Sequence, residues 1–318
     1  MFKYICKRIG LMLMTFTIIF IICFVLIKML PINLQVGVGE DADKLKALIK
    51  ARGYDRPIME QFVTYITRII RDGDFGVGIN MPEHRNQPVW DVFVKMLPPT
   101  ILINIYSSLF SVPIGIALGI FAALKKNKWQ DHFISTTVMV FISVPSFVYA
   151  SLLLYFICFK LNLLPKEMLA GYDYFTWEMF RSMIPPVLAM SFGSIAGYAR
   201  FTRAELTEVL TSEFMLLART KGLTKAQATT RHALRNAMVP IFPSIIGEFI
   251  SVLSGSLVIE KIFGIPGVGG LYLTAINTPD YDFFMMLSAF YLLVGLVAGL
   301  VIDLSYGIID PRIRMGAK

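Results

Sequence analysis

Residues 211–237, TSEFMLLARTKGLTKAQATTRHALRNA, form the only long polar interruption in the C-terminal half of a very apolar sequence. The pattern predicts two short helices joined at Gly222. Glycine suits that place because helices commonly end on a left-handed residue, a conformation in which a Cβ is strained. Thr224, with Gln227 three residues later, predicts a capping box that starts the second helix. The stretch therefore reads as a helical hairpin between two apolar segments.

The two predicted helices differ in polarity. The first is N-capped by Thr211 or Ser212, and its apolar side chains are Phe214, Met215, Leu217 and Ala218. Its last turn carries the cations Arg219 and Lys221, which the helix dipole favours there. The second helix is basic, through Arg231, His232 and Arg235. A short helix that is apolar on one side and basic at its end is typical of a helix that binds in a groove on a partner protein. The alternative is an ordinary loop that packs on its own helix bundle.

This hairpin resembles the cytoplasmic coupling loop of permease subunits in bacterial oligopeptide and dipeptide ABC importers. The pattern A-R-x-K-G-L, followed by R-H-A-L-R-N-A, is matched at Ala218, Arg219, Lys221, Gly222, Leu223 and residues 231–237. The general E-A-A-x-x-x-G signature survives only at Ala218 and Gly222, with Leu216 and Leu217 at two of its other places. The resemblance implies docking of the first helix into an ATPase subunit. It assigns coupling to Glu213, Phe214, Leu217, Ala218, Arg219, Lys221, Gly222, Arg231 and Arg235.

The resemblance also implies partners. It predicts a pore subunit, not an enzyme, that assembles with a second homologous permease, two ATPase subunits and an extracytoplasmic peptide-binding protein. ATP and Mg would belong to the ATPase subunits, since this sequence has no G-x-x-x-x-G-K-[ST] phosphate loop. No cofactor or metal is expected in the chain, because His84, His132 and His232 lack partners at ligand spacing. A nickel or metal-chelate importer shares these motifs and remains the alternative within the class.

Composition fits a membrane protein. The chain has 318 residues, of which 56% are hydrophobic and 16% charged, which favours a polytopic all-α membrane fold. We predict six transmembrane helices in a type I ABC-importer permease-like arrangement, at about residues 9–27, 101–124, 133–159, 184–198, 239–259 and 283–302. The first run is longer than a signal peptide's apolar core of roughly 7–15 residues and is read as an uncleaved span. The predicted organisation is a first span (1–30), an extracytoplasmic region (31–97), a five-helix core with its coupling loop (98–310 and 208–237) and a cytoplasmic tail (311–318).

Lys and Arg predict the orientation. With both termini in the cytoplasm, the inner segments hold sixteen of these cations and the short outer segments five. Basic residues concentrate on the cytoplasmic side of membrane proteins, so a bacterial plasma-membrane protein with both ends inside is predicted. The same distribution explains the net charge of +8 without nucleic acid as a partner. Two local expectations follow: Lys28 snorkels to the lipid interface, and Gly193 with Gly197 lets helices approach closely.

Glu248 is the one carboxylate well inside a predicted span. A charge at that depth costs a few kcal/mol, so we expect it to be protonated and hydrogen-bonded, paired with a cation, or placed on the substrate path. Asn104 is a candidate neighbour on that path. A different class, a proton-coupled carrier that titrates Glu248, is disfavoured because no internal repeat is evident. A membrane hydrolase is disfavoured because the spans contain no nucleophile–base pairing.

A glycine-rich segment follows the fifth predicted span. Phe263, Pro266, Gly267 and Gly269 resemble the F-x-x-P-G-x-G outer segment of the same permeases. The resemblance makes these four residues candidates for an outer gate that dips among the helices. The alternative is a simple turn.

Overall fold

The computed structural model describes residues 2–30, 42–169, 171 and 173–309, and within these ranges it contains no β-strand, only isolated bridges of Val77 with Pro88 and Gly78 with Arg85. The α-helices are α1 (Phe2–Met29), α2 (Ala42–Ala51), α3 (Ile58–Asp72), α4 (Val89–Leu124), α5 (Trp129–Ser143), α6 (Ser146–Leu153), α7 (Trp177–Leu210), α8 (Glu213–Thr220), α9 (Lys225–Ala228), α10 (Leu234–Ser251), α11 (Leu257–Ile262), α12 (Val268–Asn277) and α13 (Tyr281–Ile309). The all-α prediction is confirmed. The predicted tail 311–318, with the cations Arg312, Arg314 and Lys318, lies outside the described residues.

Four helical segments of the described chain are long and apolar enough to cross a membrane: Ile5–Met29, Val89–Leu124, Lys225–Ser254 and Tyr281–Gly307. A fifth crossing is added if Trp129–Ser143 and Ser146–Lys160, which meet at an angle of 97°, count as one bent span. The bend lies where Pro145 follows Val144, because a proline disfavours helical geometry in the residue before it. The predicted fourth span, 184–198, lies inside α7, whose centre is diluted by prolines, serines and glycines. The count of six therefore remains a prediction.

Two of the predicted spans begin or end at different residues in the structure. The second begins at Val89 rather than near residue 101. The fifth begins as far back as Lys225, because α9 continues through a π-helical turn, Thr229–Ala233, into α10. It ends near Ser254 rather than at residue 259, and the next residue, Gly255, has a φ of +63°. The hairpin's second helix and the fifth span are thus one continuous helix.

The chain folds as two compact units. The first is drawn from the described residues within 1–100, 254–257 and 266–297, and the second from those within 101–253, 258–265 and 298–309.

Aromatic packing holds the first unit together. Phe24 of α1 packs edge-on against Phe62 of α3, with ring centroids 5.2 Å apart, and Tyr65 and Tyr281 join the same core. The apolar face of α3, which is Ile58, Phe62, Ile66 and Ile69, packs against this core. Helix α3 and Tyr54 just before it are therefore fixed to α1 and to the start of α13.

Lys28 does not snorkel as expected. Its Nζ is buried and has no hydrogen-bond partner among the described residues. It lies 3.6 Å from the ring centroid of Tyr54 and 4.1 Å from that of Tyr281, with Phe24 at 5.6 Å. Aromatic faces attract a cation electrostatically, and this cage holds the ammonium inside the first unit.

Asp280 connects the loop before α4 to the start of α13. Its buried carboxylate accepts backbone N–H bonds from Ile79 at 2.7 Å, Asn80 at 2.7 Å and Met81 at 3.3 Å. It also accepts the N–H of Phe283 and so caps α13. Burial raises the pKa of Asp280, and these N–H donors counteract that effect by stabilising the charged form.

The closest helix packing described in the second unit is at glycines outside the predicted pair. A Cβ on Gly119 of α4 would lie 2.6 Å from the carbonyl oxygen of Ala199, and one on Gly115 would lie 2.7 Å from the Cβ of Tyr198. A Cβ on Gly197 would meet no atom within 4 Å. The tightest of these approaches are therefore on α4. A Cβ on Gly193 would lie 3.1 Å from the Tyr149 hydroxyl of α6, so within this chain the expectation of close approach is supported at Gly193 and wrong at Gly197.

Candidate functional site

The hairpin between α7 and α10 has the predicted local geometry. Helix α8 ends at Thr220, and Gly222 follows with a φ of +89°. Thr224 accepts the N–H of Gln227 at 3.3 Å and donates its own N–H to the Gln227 side chain at 3.0 Å, which completes the capping box. Ser212 occupies the N-cap position of α8, but its hydroxyl donates to the carbonyl of Val209 and does not cap the helix.

One face of α8 is packed against the second unit. Met215 and Ala218 are buried in a core cluster with Leu206 of α7 and Ala123 of α4. Three alanines of the hairpin's second helix complete the cluster, namely Ala228, Ala233 and Ala237. Small side chains at these positions let α8 lie close to the ends of two long helices. Ala218 thus holds α8 on its own bundle, and its assignment to coupling stays a prediction.

The other face of α8 is apolar and exposed. Phe214 is 44% exposed, Leu216 64% and Leu217 55%. We call these three residues the α8 outer face. Leu216, to which the family resemblance assigns no coupling role, is the most exposed of the three. An exposed apolar surface of this kind marks an interaction site in soluble segments of a protein.

Charged residues lie at both ends of α8 and on the helix that follows it. Glu213, in the first turn of α8, is exposed, and so are Arg219 and Lys221 at its other end. Arg231 and Arg235 are exposed four residues apart and lie on one side of the helix that continues into α10. The outer face is therefore apolar at its centre and charged at its rim, as protein interfaces commonly are.

Glu248 has a partner that the sequence did not indicate. Its Oε1 accepts a hydrogen bond from Ser194 Oγ of α7 at 3.0 Å. One turn away, the Tyr198 hydroxyl donates to the carbonyl of Ser244 at 3.1 Å. The carboxyl group is half-buried and is therefore neither sealed in the core nor fully in water. Of the three expected environments, hydrogen bonding between helices is the one that this contact supports.

The remaining candidates are dispersed. Asn104 is buried on α4 in the second unit. Phe263 is buried in a core of that unit, where its carbonyl accepts the N–H of Met168 at 3.1 Å. Gly267 and Gly269 belong to the first unit, where they begin helix α12 rather than a loop. Pro266 precedes them and is exposed.

A groove of about 730 Å³ lies between the bent pair α5–α6 and α7. Gly193 and Gly197 line it, together with Tyr149, Arg200 and Phe201. The absence of a side chain on Gly197 opens this space, whereas Gly193 lies against the Tyr149 hydroxyl.

An ion pair joins the buried carboxylate of Asp131 on α5 to the partly exposed guanidinium of Arg203 on α7, and sequence reasoning missed it. Asp131 and Arg203 are far apart in the chain, and no motif links them. The described residues contain no group of three or more His, Cys, Asp or Glu side chains arranged to hold a metal ion.

Comparison with known families covers nearly the whole chain. Residues 115–315 match the profile of a family described as binding-protein-dependent transport system inner membrane component. The profile of the N-terminal region of such membrane components matches residues 1–104.

Curated relatives match end to end. The dipeptide transport system permease protein DppB of Lactococcus lactis subsp. cremoris (strain MG1363) is 34% identical, over 99% of this chain and 100% of that protein. The DppB protein of Bacillus subtilis (strain 168) is 33% identical, over 100% of both chains. The glutathione transport system permease protein GsiC of Escherichia coli (strain K12) is 33% identical, over 99% of each.

Solved structures support the fold. A crystal structure of an amino acid ABC transporter with histidines matches with a TM-score of 0.50 and 22% identity, over 68% of this chain and 94% of that chain. The MetNI methionine ABC transporter in inward-facing conformations matches with a TM-score of 0.52 and 15% identity, over 69% of this chain and 95% of that chain. At these identities the likeness concerns the fold alone.

Proposed function

The chain belongs to the family of binding-protein-dependent transport system inner membrane components, and on that premise we propose that it forms half of the translocation path of a peptide-importing ABC transporter. It is a multi-pass pore subunit rather than an enzyme. The energy for transport comes from ATP and Mg bound by partner ATPase subunits. The proposed complex contains a second homologous permease, two ATPase subunits and an extracytoplasmic peptide-binding protein.

The observation that carries this proposal is the α8 outer face. Phe214, Leu216 and Leu217 leave a large apolar area on a helix of eight residues whose opposite face is already packed. Burying one such side chain fully is worth about 1.5–3 kcal/mol, so a groove on an ATPase subunit would gain appreciably by covering all three. The exposed cations Arg219 and Lys221 provide charged contacts at the rim. A helix that lays its apolar face into a groove is a common mode of recognition.

The peptide substrate is inferred from relatives. Those with about one-third identity over their full length are named for dipeptide and glutathione transport. In this chain we assign Glu248 and Asn104 to the substrate path. Glu248 is half-buried and bonded across two helices, a position from which its carboxylate can meet the positive charge of a peptide. Phe263, Pro266, Gly267 and Gly269 are assigned to the outer gate.

The orientation follows the distribution of Lys and Arg. Both termini and the hairpin 208–237 lie in the cytoplasm, and the region between α1 and α4 lies outside, where α2, α3 and the loop fixed by Asp280 offer a surface to the peptide-binding protein. In this arrangement the ATPase subunits and the peptide-binding protein act on opposite sides of the plasma membrane.

The docking assignment is tested with Leu217→Asp in the complete complex. A buried carboxylate in the apolar centre of the interface should weaken ATPase docking at least about tenfold, which corresponds to ~1.4 kcal/mol. The measurements are co-purification of the ATPase subunits and uptake of labelled dipeptide into proteoliposomes. Ile70→Asp is the matched control, because Ile70 is 77% exposed on α3, which the proposal places on the other side of the membrane. Normal docking and uptake with Leu217→Asp would contradict the proposal.

A further inference from the structure

The second unit contains a buried carboxylate with an unusually complete set of donors. Asp131, in the first turn of α5, is 1% exposed. Its two carboxylate oxygens accept hydrogen bonds from Nε and Nη2 of Arg203 on α7, and the bond from Nη2 is 2.8 Å long. The guanidinium therefore contacts both oxygens. Asp131 also accepts the N–H of Asn127 at 2.9 Å and the hydroxyl of Ser135 at 3.3 Å. Two-point contacts of this kind fix the geometry of the partners as well as their distance.

Arg203 is close in sequence to the base of the hairpin. It precedes Leu206 by three residues on α7, and Leu206 is fully buried against Met215 and Ala218 of α8. Only Thr211 and Ser212 separate the end of α7 from the start of α8. A displacement of α8 therefore acts directly on the segment of α7 that carries Arg203.

Asp131 fixes the other side of the same cluster. Its bond to Asn127, which has a φ of +63°, closes the turn between α4 and α5. The last turn of α4 contributes Ala123 to the cluster that holds α8. The Asp131 carboxylate thus connects the end of α4, the start of α5 and the end of α7, and the ends of α4 and α7 are the ones that pack against α8.

We propose that Asp131 and Arg203 are a positioning pair that makes the bent segment α5–α6 move together with α7 when α8 is displaced. This inference rests on the proposed docking of α8 to an ATPase subunit and adds the connection from α8 into the bundle. Helix α5 has no covalent link to the hairpin except through the long helices α4 and α7. The bent pair α5–α6 lines the groove beside α7, so the motion of α8 reaches that groove through this ion pair.

The test uses the complete complex in proteoliposomes, with ATP hydrolysis and labelled dipeptide uptake measured on the same preparation. Asp131→Asn retains the size of the side chain but loses one charged acceptor of the guanidinium. We expect it to leave ATPase hydrolysis within about twofold of wild type and to lower the peptide transported per ATP about tenfold or more. A role in structure alone would reduce hydrolysis, uptake and complex yield in proportion, and that result would overturn the proposal.

Asp91→Asn is the matched control, since Asp91 is likewise the third residue of its helix, α4, but is exposed. It should leave the ratio of transport to hydrolysis unchanged. Arg203→Lys is a second variant, which keeps the charge but loses the two-point contact. It should lower the ratio of transport to hydrolysis as Asp131→Asn does. An unchanged ratio would overturn the proposal. Failure of docking itself would appear differently, as loss of the ATPase subunits from the purified complex.

Discussion

The hydroxyl of Ser194 on α7 donates to the carboxyl group of Glu248 on α10 across 3.0 Å. This contact explains how an apolar helix tolerates an acidic residue, because a buried polar group is costly only when it lacks a partner. A single hydrogen bond leaves acceptor capacity on the carboxyl group. That capacity is what a cationic substrate group would use.

Glu248→Gln should separate the structural and the substrate roles of this residue. Glutamine retains an acceptor for Ser194, so complex assembly and basal ATP hydrolysis should be unchanged. Uptake of cationic dipeptides should fall about fivefold or more relative to neutral ones, which corresponds to ~1 kcal/mol. Uptake of both classes at the wild-type rate would show that Glu248 is only a structural group.

Gly222→Val should disrupt the hairpin through backbone strain alone. A Cβ at this position meets nothing within 4 Å, whereas a β-branched residue at a φ of +89° costs on the order of 1–3 kcal/mol. We expect membrane insertion to persist while ATPase docking and uptake are lost. Gly222→Asn is the control, because asparagine tolerates left-handed geometry better, and it should retain most of the activity. Equal uptake by the valine and asparagine variants would mean that this geometry is not needed.

Cysteine labelling should establish the orientation. Cys6 is exposed near the start of α1, and Gln87 is exposed in the loop before α4. In a background without Cys23 and Cys158, a membrane-impermeant thiol reagent should label Cys6 only from the cytoplasmic side. It should label Gln87→Cys only from outside. Gln87 is preferable to Asn86, whose φ of +59° disfavours cysteine. Reversed accessibility would refute the proposed topology.

Asp280→Ala should loosen the loop that the carboxylate holds. The substitution leaves the N–H groups of Ile79, Asn80 and Met81 without their acceptor, and each buried, unpaired donor costs about 1–3 kcal/mol. Trypsin cleavage after Arg85 should therefore become faster. Asp280→Asn keeps one acceptor oxygen and should remain closer to wild type. Cleavage of both variants at the wild-type rate would show that another contact holds the loop.

The sequence determined the features that depend on near neighbours in the chain. The capping box of Thr224 and Gln227 and the left-handed Gly222 involve groups only a few residues apart, so residue type and spacing were sufficient. The apolar face of α3 was likewise predictable from its helical period. The long apolar runs predicted membrane helices, although their limits shifted where one helix continued into the next, as at Lys225–Ser254.

The tertiary structure decided which side of each helix meets which neighbour. It turned Ala218 inward and left Leu216 outside, placed the close contacts at Gly115 and Gly119, and opened a groove at Gly197. The cage around Lys28 and the ion pair of Asp131 with Arg203 join residues from distant parts of the sequence. Helical spacing specifies which residues share a face, but the rotation and contact partner of that face follow from packing the whole bundle, because many arrangements bury a similar apolar area.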